Sequence, residues 1–338
     1  MVIEKTRRNF VTIEGLFLKL KYKSFLFLTS LTTVHSISKY FRTDPVAITI
    51  GTFDGVHIGH RKILERVINH ASNAGLRSAV LTFFPHPRMV LQKDADIQLL
   101  NTIDEKITIL ENMGLDILII HPFSKDFSRL SATDFVRDIL VNKLHSKKVI
   151  IGYDHRFGRN RNANITDLRA FGSALDFSVE EISAQEIDDV SVSSTKIRKA
   201  LNEGDMETAN SYLGYAYMLT ATVTRGKGLG RTLNFPTANL HISESYKLVP
   251  KEGVYVVKST LSGNTVHGMM NIGYNPTVAG KEKSIEVHFF DFKEDLYDKK
   301  IQVHLLKRLR DEQRFGSVEA LKAQLERDKH KALNYITK

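Results

Sequence analysis

The residue types and spacings most suited to chemistry fall into two groups, both built to handle phosphates. In GTFDGVHIGH (residues 51–60), Gly51, Gly55 and Gly59 let the backbone approach an anion closely. His57 and His60, three apart, share one face of a first helical turn, where both can donate to phosphate oxygens. VSSTKIR (residues 192–198) reads as a helix start at which Ser194 and Thr195, with the free amides, hold phosphates while Lys196 and Arg198 add positive charge. Between these lie TFFPHP (82–87), stiffened by Pro85 and Pro87, and GYDHRFG (152–158), which carries Asp154. Each piece has a plainer reading, since glycine turns, histidines three apart and proline-stiffened loops are common. Glycines and histidines at one strand-to-helix junction describe a site that positions phosphates and stabilises charge accumulating on their oxygens.

The second group begins with VTRGKGLGRTLNFPTANL (223–240). Gly226, Gly228 and Gly230 suit a flap over phosphates, with Lys227 and Arg231 as charge partners. The lysine-hydroxyl ending of a P-loop is missing, so that kinase fold is not indicated. Thr237 and Asn239 are two apart, which on an extended segment puts both oxygens on one side, able to hold Mg²⁺ and terminal phosphates. In KSIEVHFFDF (283–292), strand alternation displays Glu286, His288 and Phe290 opposite Ile285, Val287 and Phe289. A carboxylate at 286 can take the proton of an alcohol attacking ATP; standing alone, it would read as an ordinary surface residue.

Two kinds of element must position these groups. VAITIG, RSAVLTFF, DILIIHPF and KKVIIGYD are short apolar strands alternating with helices, which HRKILERVINHASNAG, IDEKITILENMG and ATDFVRDILVNKL supply, with Gly75 and Gly114 as stops. That order predicts a Rossmann-like α/β unit with a parallel sheet covered on both faces and ligands at the carboxyl ends of its strands. After about residue 215, alternating runs separated by turn residues (YMLTATVTRG, GVYVVKST, NTVHGMMNIG, KSIEVHFFDF, KKIQVHLLKRL) predict a small antiparallel β-barrel, closed by a terminal helix with Ser317 as N-cap.

Bulk properties agree with two units. A chain of 338 residues exceeds one ordinary core, and 42% hydrophobic with 25% charged residues is average for a globular protein. The absence of cysteine removes disulfides, thiolate metal sites and thiol nucleophiles, and a cytoplasmic location is the simplest expectation. A net charge of +10, spread along the chain without tryptophan, fits small polyanionic ligands better than a nucleic-acid surface. In residues 1–30, Lys19, Lys21 and Lys23 interrupt the apolar stretch, so neither a membrane span nor a signal peptide is expected there.

In order and rough spacing, GTFDGVHIGH, TFFPHP, GYDHRFG and VSSTKIR resemble the adenylyltransferase half of bacterial FAD synthetases. The glycine loop, PTAN, GVYVV, NIGYNPT, IEVHFFDF and RLRDEQRF resemble the riboflavin kinase domain. The resemblance to the bifunctional riboflavin kinase/FMN adenylyltransferase family covers roughly residues 30–335. It implies an N-terminal extension (1–30), an FMN adenylyltransferase domain (31–210) and a riboflavin kinase domain (211–338). It also implies ATP as co-substrate, Mg²⁺, riboflavin and FMN as substrates, and FMN and FAD as products, with no membrane or nucleic-acid partner and at most weak or transient homo-oligomers.

By that resemblance His57 and His60 are catalytic, and Gly51, Phe53, Gly55, Asp154, Ser194, Thr195, Lys196 and Arg198 contact ATP. Pro85, His86 and Pro87 form a wall against the flavin. In the other half Glu286 is the base, Thr237 and Asn239 hold the metal nucleotide, Gly226, Lys227, Gly230 and Arg231 cover the phosphates, and Arg310 lies near the flavin. Departures from the family pattern are His155 in place of Phe, Asn160, Ala163 and Asn234 in place of glycines, and LGYAY (213–217) in place of LGRPY. The last two are not expected to touch the chemical groups. Two other readings fit parts of the pattern: a nucleotidyltransferase for another acceptor, and a β domain that only senses flavin.

Overall fold

The computed structural model describes residues 30–92, 97–188, 192–226, 229–277 and 280–337. The first unit is a six-stranded, all-parallel sheet in the order β1-β4-β3-β2-β5-β6. Its central strands, β2 (Val46–Ile50), β3 (Arg77–Phe83), β4 (Ile117–His121) and β5 (Ser146–Gly152), are the four apolar runs read from the sequence. All five residues of β2 are buried, as a strand covered on both faces requires. The sheet is wider than those runs predict. β1 (Thr32–Val34) is only three residues long and β6 (Ser178–Ile182) carries two glutamates, so neither edge strand has an apolar signature.

Helix α1 (Ile58–Ala74) stops at Gly75, which adopts the left-handed conformation expected of a C-cap. Helix α2 (Pro87–Leu91) follows β3. Helix α3 (Ile103–Asn112) starts in a capping box, with Thr102 and Glu105 bonding each other's backbone amides. The ATDFVRDILVNKL segment forms α4 (Ala132–Asp134) and continues as a π-helix over Phe135–Lys143. Helices α5 (Ile165–Leu175) and α6 (Ala184–Asp188) complete the unit, while α7 (Ser194–Glu203) and α8 (Met206–Leu213) bury Ile197, Leu201, Met206 and Leu213 in one apolar core with the second unit.

The second unit is a closed antiparallel barrel in the order β10-β11-β8-β7-β12-β9. Its strands are β7 (Met218–Thr224), β8 (Ala238–His241), β9 (Gly253–Leu261), β10 (Asn264–Thr277), β11 (Gly280–Phe289) and β12 (Lys300–Arg310). A short helix, α9 (Leu229–Thr232), lies within the glycine loop, and α10 (Val318–Ile336) closes the chain with Ser317 as its side-chain cap.

The units are joined through a buried polar seam. Leu99 exchanges backbone hydrogen bonds with Tyr246 and Leu248. Lys247, fully buried, donates to the Leu100 carbonyl and to Glu105 Oε2, each at 2.6 Å, while Glu105 Oε1 accepts from the Thr220 amide at 2.9 Å. A single capping carboxylate therefore starts α3 and ties it to the barrel.

Two candidate active sites

The first site opens at the carboxyl ends of β2 and β5, neighbours at which the strand order reverses, where a parallel sheet leaves a crevice. A cavity of about 450 Å³ there brings together Gly51, Phe53, His60, Pro87 and Asp154. The loop that follows β2 is held in an unusual conformation. Phe53, Gly55 and Val56 all have positive φ (45°, 87° and 38°), and a Cβ on Gly55 would lie 2.6 Å from a Leu100 methyl. For a β-branched residue such as Val56 this is a true outlier, sustained only where the surroundings over-determine it.

The two histidines differ in placement. His57 is the N-cap of α1 and not part of its first turn: its Nδ1 accepts the His60 amide at 3.3 Å, which leaves Nε2 as the protonated nitrogen. The two rings stack at 3.6 Å. Burial lowers the His57 pKa to about 4 and holds that of His60 well below the ordinary imidazole range, so both are neutral donors at physiological pH.

The residues 194–198 join this site from behind. Ser193 caps α7, Ser194 Oγ donates to the Asp54 carbonyl at 2.9 Å, and Arg198 is paired with the buried Asp54 carboxylate and bonds the Gln98 carbonyl. Thr195 and Lys196 are exposed on the first turn. Arg198 thus ties the 194–198 segment to the 51–60 loop through Asp54, a residue outside the motif positions singled out in the sequence. Tyr215, in the LGYAY departure, donates to the Gly55 carbonyl at 2.6 Å, so this departure does touch the glycine and histidine loop, contrary to expectation.

In the TFFPHP segment the Phe84–Pro85 peptide is cis, and His86 caps α2 by accepting the Arg88 amide. Burial lowers the His86 pKa to about 4. Pro87 shares the cavity wall with Phe83, the first of a chain of rings that runs through Phe127 (5.4 Å), Phe135 (6.3 Å) and Phe157 (6.0 Å). This aromatic wall, suited to a flat ring system, comes from four separate segments and has no sequence signature. Asn160 and Arg161 adopt left-handed conformations, and asparagine at 160 occupies with little penalty a position where glycine is usual.

The second site is a cavity of about 560 Å³ in the barrel, whose lining includes Gly226, Gly230, Thr237, Asn239, Glu286 and Arg310. Register explains the meeting: Glu286 of β11 lies directly opposite Asn239 of β8 on one side and Asn271 of β10 on the other. Thr237 Oγ1 donates to Glu286 Oε2 at 3.0 Å. His288, two residues along on the same face, is held to the Pro236 carbonyl at 2.8 Å and so fixes the same segment. A Cβ on Gly226 would come within 2.1 Å of the Asn239 amide, so only glycine allows this approach. Lys227 lies outside the described residues, and Arg231 lies in α9.

Arg310 lines the cavity, but its guanidinium is committed. It grips the fully buried Asp328 of α10 with Nε and Nη2, at 2.7 to 3.1 Å, and Nη1 bonds the Asp311 carbonyl. Its role in the fold is to clamp the terminal helix against the barrel. Asn271 lines this cavity beside Glu286 without having been singled out by the motifs, and Asp328 acts on it only through Arg310.

Two separate cavities, one with a glycine and histidine loop at a sheet switch point and one with hydroxyl, amide and carboxylate oxygens inside a barrel, define a two-site transferase of nucleotide phosphates. Residues 41–196 match the FAD synthetase family and residues 213–336 the riboflavin kinase family. A Listeria monocytogenes protein named bifunctional riboflavin kinase/FMN adenylyltransferase is 38% identical, covering 86% of this chain and 92% of its own. An Escherichia coli K12 protein of the same name is 36% identical, covering 90% and 96%. A solved Streptococcus pneumoniae chain titled macrolide-efflux protein superposes with a TM-score of 0.81 at 28% identity, over 90% of this chain and 99% of its own. Among the described residues no helix is long and apolar enough to cross a membrane. The chain belongs to the bifunctional riboflavin kinase/FMN adenylyltransferase family.

Proposed function

We propose a division of labour between the two cavities: riboflavin is phosphorylated in the barrel, and the FMN formed is adenylylated at the parallel-sheet site. The enzyme is a riboflavin kinase and FMN adenylyltransferase, using ATP in both steps and releasing pyrophosphate in the second. The boundary near residue 210 belongs to the same proposal. So do a cytoplasmic location and no more than weak or transient self-association.

In the barrel, Glu286 accepts the proton of the ribityl hydroxyl as that oxygen attacks the γ-phosphorus of ATP. The observation that carries this assignment is the convergence of Thr237, Asn239 and Glu286 in one cavity, with Thr237 bonded to Glu286. The oxygens of Thr237 and Asn239 suit Mg²⁺. An ion held by one or two protein oxygens and the nucleotide phosphates is the usual Mg²⁺ arrangement at such sites. When bound, Mg²⁺ supplies charge neutralisation of the phosphates.

At the first site the FMN phosphate attacks the α-phosphorus of ATP, and pyrophosphate leaves. His57 and His60, as neutral donors, and the amides of the Gly51 and Gly55 loop stabilise the charge on the transferring phosphate. Asp154 orients the nucleotide, while Pro85, His86 and Pro87 with the aromatic wall seat the flavin. The test is to incubate the protein with riboflavin, ATP and Mg²⁺ and separate flavins over time. FMN preceding FAD is the expected result; no turnover would favour another acceptor or a flavin sensor.

A further inference from the structure

Lys106 sits on the first turn of α3 next to Glu105, but the two side chains serve opposite neighbours. Glu105 faces the barrel through Lys247 and Thr220, whereas Lys106 donates at 2.7 Å to the carbonyl of Thr52, in the middle of the phosphate loop. Thr52 lines the adenylylation cavity, and its carbonyl also accepts the Thr82 hydroxyl at 3.2 Å. Lys106 is only 6% exposed, so it presses on the loop from behind. A buried ammonium is costly, and a purely structural contact to a backbone carbonyl needs only a neutral donor.

We infer that Lys106 is a positioning residue for adenylyl transfer, holding the strained phosphate loop through Thr52 and placing a fixed positive charge behind the transferring phosphate. The loop it holds is the one with three positive-φ residues, whose conformation needs external restraint. The charge lies one residue behind the cavity wall, on the Thr52 carbonyl, in a low-dielectric setting where a cation counts for more than in water. The charged and titratable groups around it are Asp54 on the loop, which favours the ammonium, Arg198 beyond Asp54, and the neutral rings of His57, His60 and His86. Burial lowers the Lys106 pKa to about 8, so the charge is present below that pH and is lost as pH rises through it.

This inference rests on the first cavity being the adenylylation site, and riboflavin phosphorylation in the barrel provides an internal control. With FMN and ATP supplied, Lys106→Met is expected to lower adenylylation kcat by about tenfold or more, while kinase turnover stays within about twofold. Lys106→Gln, which keeps a neutral donor for Thr52, is expected to recover only part of the loss. Wild-type adenylylation should decline above pH about 8, and that decline should be missing from the Lys106→Met profile. Unchanged kcat in Lys106→Met, full recovery in Lys106→Gln, or an alkaline decline that persists in Lys106→Met each overturns it; retained kinase turnover shows that the variants fold. If His57→Ala also leaves adenylylation intact, the cavity assignment is what fails.

Discussion

The two sites are assembled by different means. In the barrel, strand register alone brings Glu286 opposite Asn239 and Asn271, and the flanking Thr237 completes the group. At the parallel-sheet site, the phosphate loop follows its strand directly but is held by partners far along the chain. Asp54 reaches the Leu100 amide 46 residues away, Lys106 reaches Thr52 across 54 residues, and Arg198 reaches Asp54 across 144. Tyr215, at the edge of the barrel, adds a further tie to Gly55. The proposed kinase site is therefore intrinsic to one unit, while the loop proposed for adenylylation depends on the packing of the first unit and on its seam with the second.

That contrast can be broken most sharply at Glu286. Glu286→Gln should lower FMN formation by about 10²–10⁴-fold, the typical worth of a positioned base, and leave adenylylation of supplied FMN intact, as separate assays will read. His57→Ala should do the reverse, lowering adenylylation by about 10²–10³-fold as a lost charge-stabilising donor does. Both variants losing both activities, with folds intact by circular dichroism, would refute separate sites.

Lys247→Met sharpens the claim of dependence. It leaves Glu105 buried without its cation, a change that typically costs about 3–5 kcal/mol, so the melting temperature should drop, with adenylylation more affected than phosphorylation. Removing one hydroxyl is milder: Tyr215→Phe should reduce adenylylation a few-fold, about 0.5–1.5 kcal/mol, and spare the kinase step. On the acid side the pH dependence should differ least. Because the His57 pKa is lowered to about 4, its neutral donor form persists above that pH and is lost only as pH falls through it. Titration of His57 should then contribute no acid limb to adenylylation between about pH 5.5 and 7.5.

Much of this was legible in residue order. A period of two in IEVHFF put Glu286 and His288 on one face, and apolar runs alternating with helices fixed a parallel sheet. The edge strands escaped notice because β1 is too short and β6 too polar to carry a pattern. LGYAY looked like a harmless departure because nothing in the sequence says that a tyrosine at 215 meets a glycine at 55. Arg310, expected beside the flavin, lines the barrel cavity, but the residue that holds it there, Asp328, sits on a helix that the motif does not include.

The sequence by itself determined the central strands and the long helices, the local end signals at Gly75, Gly114 and Ser317, and the kinds of group each site contains, because these depend on neighbours a few residues apart. Only the tertiary structure decided which charges are spent on the fold and which lie against the site. Arg198 reads in the sequence as a phosphate contact and Lys106 as a surface cation of a helix. Burial and partners from distant segments tie one to Asp54 and the other to Thr52.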